Sequence, residues 1–203
     1  MTNKRENDST TENDRTAENN STGRRTTASG VLMAATVAMG LIAGVFYIYA
    51  CNIMPSLSRS DDRVFIEVMQ NINDQIQNPV FFLSFLGALP LAAVAAWQSR
   101  RSPHRWWALA ALVSYTLVFL VTVAVNIPLN NELADAGDPA RIADPAAVRE
   151  RFEDPWVAWN VVRALLSTLA LACLARALVV YGRLDRGYAS AYLESAAGSS
   201  ASR

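Results

Sequence analysis

The sequence predicts an all-α protein: a four-transmembrane-helix bundle with an additional amphipathic helix in the first extracytoplasmic loop. Three observations carry that prediction. Apolar residues make up 52% of the 203-residue chain, and they gather in four stretches, residues 31–53, 80–97, 106–125 and 156–181. Each stretch is near the ~20 residues that cross a bilayer core. Between the first two, Phe65, Val68, Met69, Ile72 and Ile76 recur at helical spacing, while Glu67, Gln70, Asn71, Asp74 and Gln77 occupy the rest of the wheel. Finally, basic residues crowd alternate borders. Arg24 and Arg25 precede the first stretch, Arg100, Arg101 and Arg105 fill the short connection between the second and third, and Arg183 and Arg186 follow the fourth. That bias puts both termini and the middle connection on the cytoplasmic side and the two longer loops outside. The expected location is the cell membrane, with the lipid bilayer as partner.

Residues 1–29 are almost wholly Asn, Thr, Ser, Glu, Asp and Arg and lack the apolar surface that folding needs. They read as a disordered polar cytoplasmic tail, residues 30–181 as the membrane domain, and residues 182–203 as a short cytoplasmic tail. Eighteen basic and eighteen acidic residues cancel, so no basic field invites nucleic acid. Cys51 sits near the outer end of the first span and Cys173 well down the fourth. At ~1.5 Å per residue they differ in depth by about 20 Å, beyond disulfide reach.

In the first span, Thr36, Gly40 and Gly44 form a small-residue stripe that lets another helix approach closely, and Tyr47 and Cys51 extend that face outward. Met54-Pro55 is expected to end the helix, because proline disfavours helical angles in the residue before it. Ser60-Asp61 can cap the amphipathic helix. That helix is poor in Lys and Arg for one lying on lipid, so it reads as a lid packed on protein over the outer mouth of the bundle. Asn78-Pro79 opens the second span, and Pro90 kinks it, tolerated where neighbours satisfy the freed carbonyl. Trp97, Trp106 and Trp107 fit an interfacial aromatic belt, and His104, the sole histidine, reads as an exposed juxtamembrane residue. The third span places Tyr115, Phe119, Thr122, Asn126 and Asn130 on one face, with Pro128 interrupting the helix. The loop over residues 134–154 is expected to hold a short helix near 145–152. The fourth span sets Trp156, Asn160, Arg163 and Ser167 on one face. Arg163 lies ~10 Å inward from Trp156 by helical rise. It either snorkels to the interface or turns into the bundle beside Asn160.

Polar side chains within a membrane mark functional positions by default. Here Tyr47, Thr122, Asn126, Asn130, Asn160 and Arg163 fall in the outer half of three spans. Fixed donors of this kind suit an electron-rich oxygen, such as a carboxylate, an enolate or a quinone carbonyl. Trp156, Trp159 and Tyr47 offer flat surfaces to an aromatic ring. The sequence carries no His/Cys metal cluster, no glycine-rich phosphate loop after a strand and no paired histidines for haem. No metal or cofactor is therefore expected. The expected partner is a small hydrophobic or aromatic molecule, and the oligomeric state stays open.

The run Gly44-Val-Phe-Tyr-Ile48, then Met54-Pro55, Phe65-Ile-Glu-Val-Met-Gln-Asn-Ile-Asn73 and Asn78-Pro79, resembles the anthrone oxygenase-like family of small four-helix membrane proteins. The resemblance continues through Asn126-Ile-Pro-Leu-Asn130-Asn-Glu-Leu133 and Trp156-Val-Ala-Trp159-Asn160-Val-Val-Arg163, and covers residues 31–180. Most bacterial members have no assigned function. What the resemblance implies is oxidation of a polyketide anthrone to an anthraquinone by dioxygen without an evident cofactor. On that pattern Arg163, Asn160, Asn126 and Asn130 stabilise an enolate oxygen, and Asn73 from the lid completes the pocket. No histidine lies near, so the base is open: Tyr47, a water, or none if the substrate ionises unaided. Two other classes use the same residues, a non-catalytic membrane protein binding a lipid, quinone or small metabolite, and a structural tetraspan protein. A transporter is less attractive, since the chain shows no internal repeat.

Overall fold

The computed structural model describes the backbone of residues 2–201 and side chains over residues 26–184. Seven α-helices follow in order: α1 (Thr2–Ile48), α2 (Met54–Leu57), α3 (Asp62–Gln75), α4 (Pro79–Ser99), α5 (Arg105–Val121), α6 (Ile127–Asp135) and α7 (Pro145–Ala201). Among the described residues there is no strand. Two π-helical turns, Tyr49–Ile53 and Thr122–Asn126, fuse α1 to α2 and α5 to α6. Four continuous helical rods result, Thr26–Leu57, Pro79–Ser99, Arg105–Asp135 and Pro145–Leu184, each long and apolar enough to cross a bilayer. The chain is thus an all-α integral membrane protein. The readings for residues 1–29 and 182–203 fall largely on side chains outside the described residues.

The rods close a ring in which α1 packs on α4 and α7, and α5 on α4 and α7. Lipid tails are as apolar as the side chains they touch, so close van der Waals packing holds such a ring together. Alanine supplies the close approach: Ala35, Ala88, Ala95, Ala111, Ala170 and Ala177 are all buried between rods. The expected Thr36/Gly40/Gly44 stripe does not do this. A Cβ at Gly44 would meet nothing within 4 Å, and one at Gly40 would meet only the tip of Leu171 at 3.8 Å. The inward face of α1 is instead Leu32, Ala35, Met39, Ile42 and Phe46.

The helices pass through two prolines where the sequence suggested a stop. Pro55 and Pro128 each come one residue after the residue that closes a π turn, with Met54 N–H bonded to the Tyr49 carbonyl and Ile127 N–H to that of Thr122. In a regular α-helix each proline ring would press on the carbonyl four residues back. The wider i→i+5 turn relieves that clash and lets the rod continue. Pro90 lies inside α4 and frees the carbonyl of Leu86, four residues back; one residue before Leu86, the Phe85 carbonyl accepts from the Tyr115 hydroxyl at 2.7 Å, which ties α5 to α4. The short helix expected at 145–152 is not separate either. It forms the first turns of α7, which runs on through Pro155.

The lid exists as expected. Asp61 caps α3 by accepting from Arg63 N–H, and Phe65, Ile66 and Met69 are buried beneath it. They join Met54, Leu57, Leu133, Ile142, Phe152 and Trp156 in a second core above the bundle. Three side chains latch the lid. Arg63 donates to the carbonyls of Pro139 and Ile142, and Gln70 donates to that of Leu133 at 2.8 Å. Arg149 pairs with Asp62 (2.9 Å) and Glu153 (2.6 Å), donates to the Ser58 and Ser60 carbonyls, and sits 4.5 Å above the Phe65 ring.

At the opposite end, His104 is not exposed. It retains 3% of its surface and sets its ring edge-on to Tyr181, with centroids 5.7 Å apart. Burial disfavours the imidazolium and holds its pKa below the ordinary value.

Two outcomes follow. Arg149→Ala should cost about 2 kcal/mol, the worth of hydrogen bonds to a charged group, and should raise hydrogen exchange in α3 selectively. Uniform exchange across the protein would place the latch elsewhere. Because His104 has a depressed pKa in the folded state, its contribution is complete above about pH 6.5. It is lost as pH falls through that unfolded value towards the lower folded one. Thermal unfolding of the purified protein should therefore show a drop on acidification that His104→Phe flattens.

Candidate functional site

The polar face of α7 turns inward. Trp156, Asn160, Arg163 and Ser167 stand at steps of four, three and four, and all are buried. Arg163 keeps only 5% of its surface, so it does not snorkel. The reason is the partner set waiting inside the ring. Its Nη2 donates to Asn160 Oδ1 at 3.0 Å, and its guanidinium carbon lies 4.4 Å from the Phe46 ring centroid and 5.4 Å from that of Trp156. Asn160 in turn donates through Nδ2 to the Phe46 carbonyl at 3.2 Å. A single asparagine thus ties α7 to α1 and aims the arginine.

The third rod holds Trp156. Its indole Nε1 donates to Asn130 Oδ1 at 2.8 Å, and its carbonyl accepts from Asn126 Nδ2 at 3.5 Å. The π turn carries Asn126, and α6 carries Asn130 one turn further along. The Thr122 hydroxyl bonds back to the Val118 carbonyl at 2.8 Å. Tyr49, at the head of the other π turn, sets its ring 5.7 Å from that of Trp156. Such turns concentrate at functional positions, and both of them here flank one space.

That space is a cavity of about 200 Å³ between the lid and all four rods. Of the residues expected at the site, Asn73, Thr122, Asn130, Trp156, Asn160 and Arg163 line it. Asn126 is buried beside it without contributing wall. Two expectations are corrected. Tyr47 is 61% exposed and Trp159 40%, and both point out of the bundle. Tyr47 continues the outward stripe of α1, and Trp159 stands at the exposed edge of the Trp156/Asn160/Arg163 face, so neither lines the cavity. Tyr49 takes the place given to Tyr47, since it lies three residues beyond Phe46 on the inward face. The second rod was missed altogether. Phe81 and Phe85 stack at 5.5 Å and 8°, and Phe82 stands beside them in the wall. Only their four-residue spacing signals it.

Arg163 is the one charged residue in the wall among the described residues. Three buried polar atoms at the site have no hydrogen-bond partner: Arg163 Nε, Asn73 Nδ2 and Asn126 Oδ1. A desolvated cation with a spare donor, in one cavity wall with a second unpartnered N–H, suits an anionic or strongly polarised oxygen. The rings of Phe46, Trp156, Tyr49 and Phe81 suit a flat apolar body attached to it. Among the described residues no three His, Cys, Asp or Glu side chains gather as a cation site.

Comparison with known proteins gives one result. A family model described as anthrone oxygenase matches residues 68–173, more than half of the chain. No curated protein matches the chain, and no solved structure does. The matched stretch contains every lining residue contributed by α3, α4, the third rod and α7, but not Phe46 or Tyr49.

Proposed function

The chain belongs to the anthrone oxygenase family, and from that premise we propose that it oxidises an electron-rich aromatic substrate of the anthrone type with dioxygen. Balance sets what the site must do. The reacting methylene loses two hydrogens and gains one oxygen atom to become a carbonyl, and the second oxygen atom leaves as water with those hydrogens. The first step is loss of a proton to form an enolate, whose carbon then reacts with oxygen. Arg163 and the Nδ2 of Asn73 stabilise the enolate oxygen, and this lowers the barrier to ionisation. Asn160 positions Arg163, and Asn130 and Asn126 position Trp156, against which the ring system lies. Tyr49, which lines the same cavity, relays the proton in the role first given to Tyr47. On this reading both termini are cytoplasmic, and the cavity lies in the outer half of the cell membrane.

The observation that carries the proposal is Arg163 itself, buried at the wall of a ring-lined cavity with no acidic lining residue among those described. A ligand-binding protein without turnover would use the same wall, and oxygen uptake separates the two. Protein in nanodiscs supplied with an anthrone should consume one dioxygen per substrate. Arg163→Gln should lower kcat by about 10²–10³, as removal of an oxyanion donor does, while the protein still elutes as a folded species. Equal turnover in the variant would remove Arg163 from the mechanism. Tyr49→Phe should slow the reaction and Tyr47→Phe leave it unchanged. The reverse order would restore the outward tyrosine.

A further inference from the structure

The cavity wall is uneven around its circumference. Towards α6 and α7 the lid is latched by Arg63, Gln70 and Arg149. Towards α4 it is not. There α3 simply passes through Gln77 and Asn78 into the next helix, where the Asn78 side chain caps Val80 and Phe81 N–H. Among the described residues, α4 packs along α1 and α5 but has at most marginal contact with the lid or with the third rod beyond its π turn. Each side of that seam contributes one partly exposed wall residue. Phe82 from α4 and Ile127 from α6 both line the cavity, yet they remain 40% and 43% exposed. The flanks are apolar: Leu86, one turn from Phe82, and Val123, one turn from Ile127, are exposed large hydrophobics. Only the rim nearest the lid is polar, where Gln77 and Asn131 line the cavity.

Exposed apolar flanks on membrane-crossing rods face lipid, so the seam opens sideways. We propose that it is a lateral portal. Through it a planar aromatic dissolved in the bilayer, bearing one ionisable oxygen, slides between Phe82 and Ile127 until that oxygen meets Arg163. An opening of this kind admits a ligand longer than a cavity of about 200 Å³ encloses, since such sites usually span ~300–1,000 Å³. The ligand class rests on the oxygenase reading, whereas the route does not.

Two measurements test the route. In nanodiscs, 2-hydroxyanthraquinone is a non-reacting probe whose phenolate absorbs to the red of its phenol. The double substitution Leu86→Trp with Val123→Trp, neither of which lines the cavity, should slow its association at least tenfold, with the red shift at equilibrium retained. An unchanged association rate would overturn the portal. Independently, Phe82→Cys on a Cys51→Ser background should react with membrane-dissolved pyrene maleimide faster than with a charged, sulfonated maleimide. Faster reaction with the charged reagent would show that the mouth faces water and likewise overturn it. The outcomes separate the two proposals. Lipid-side labelling without oxygen uptake keeps the portal and removes the oxygenase, while uptake with water-side labelling does the opposite.

Discussion

An arginine turned into the membrane interior makes demands on everything around it. A cation at mid-bilayer depth costs about 3 kcal/mol on insertion scales, and an unsupported side chain of that length escapes to the interface. Arg163 stays because the Asn160 amide and the faces of Phe46 and Trp156 meet it. One charge-assisted hydrogen bond and two desolvated ring contacts are together of the same order as that cost. Each of those partners needs its own anchor. Asn160 is fixed by the Phe46 carbonyl, Trp156 by Asn130 and Asn126, and Phe46 by its place in the core face of α1. The arginine therefore specifies how three of the four rods sit against one another. It is a constraint on geometry more than a source of stability.

The two π turns serve that geometry. Each comes just before a proline, each lies in the half of its rod nearest the lid, and each carries a residue that reaches Trp156, a ring partner of the arginine: Tyr49 from the first, Asn126 from the second. A regular helix would kink or break at Pro55 and Pro128. With the wide turns in place the rods run on, so that Met54 and Leu57 from one and Leu133 from the other reach up into the core under the lid. Membrane packing below and water-facing packing above are thus joined through the same backbone.

Much of this was legible in the residues. Hydropathy located the four rods, because only continuous apolar length satisfies a bilayer. A 3.6-residue period located the lid, whose buried Phe65 and Met69 sit where the pattern put them. The i, i+4, i+7 spacing put Trp156, Asn160 and Arg163 on one face. Other features leave no such trace. A π turn is a shift in the hydrogen-bond ladder, and residues such as Thr122–Asn126 do not encode it in any composition. The glycine stripe points to Tyr47 rather than Tyr49 as the inward tyrosine, whereas Leu32, Ala35, Met39, Ile42 and Phe46 form the packed face of α1. Phe81, Phe82 and Phe85 escaped notice because an apolar wall looks like any other lipid-facing run. His104 looked exposed because it sits among arginines, and only the return of α7 past it, bringing Tyr181, covers the ring.

The wall of the cavity is assembled from two kinds of sequence. The polar anchor set falls inside the stretch matched by the family model, while Phe46 and Tyr49 come from the rod that precedes it. Where chains share the anchor set and differ in that first rod, they would keep the same electrostatic grip and present a differently shaped surface to whatever lies against it. Substrate scope could then diverge through exchange of one aromatic side chain for another, with the groups that hold the charge left untouched.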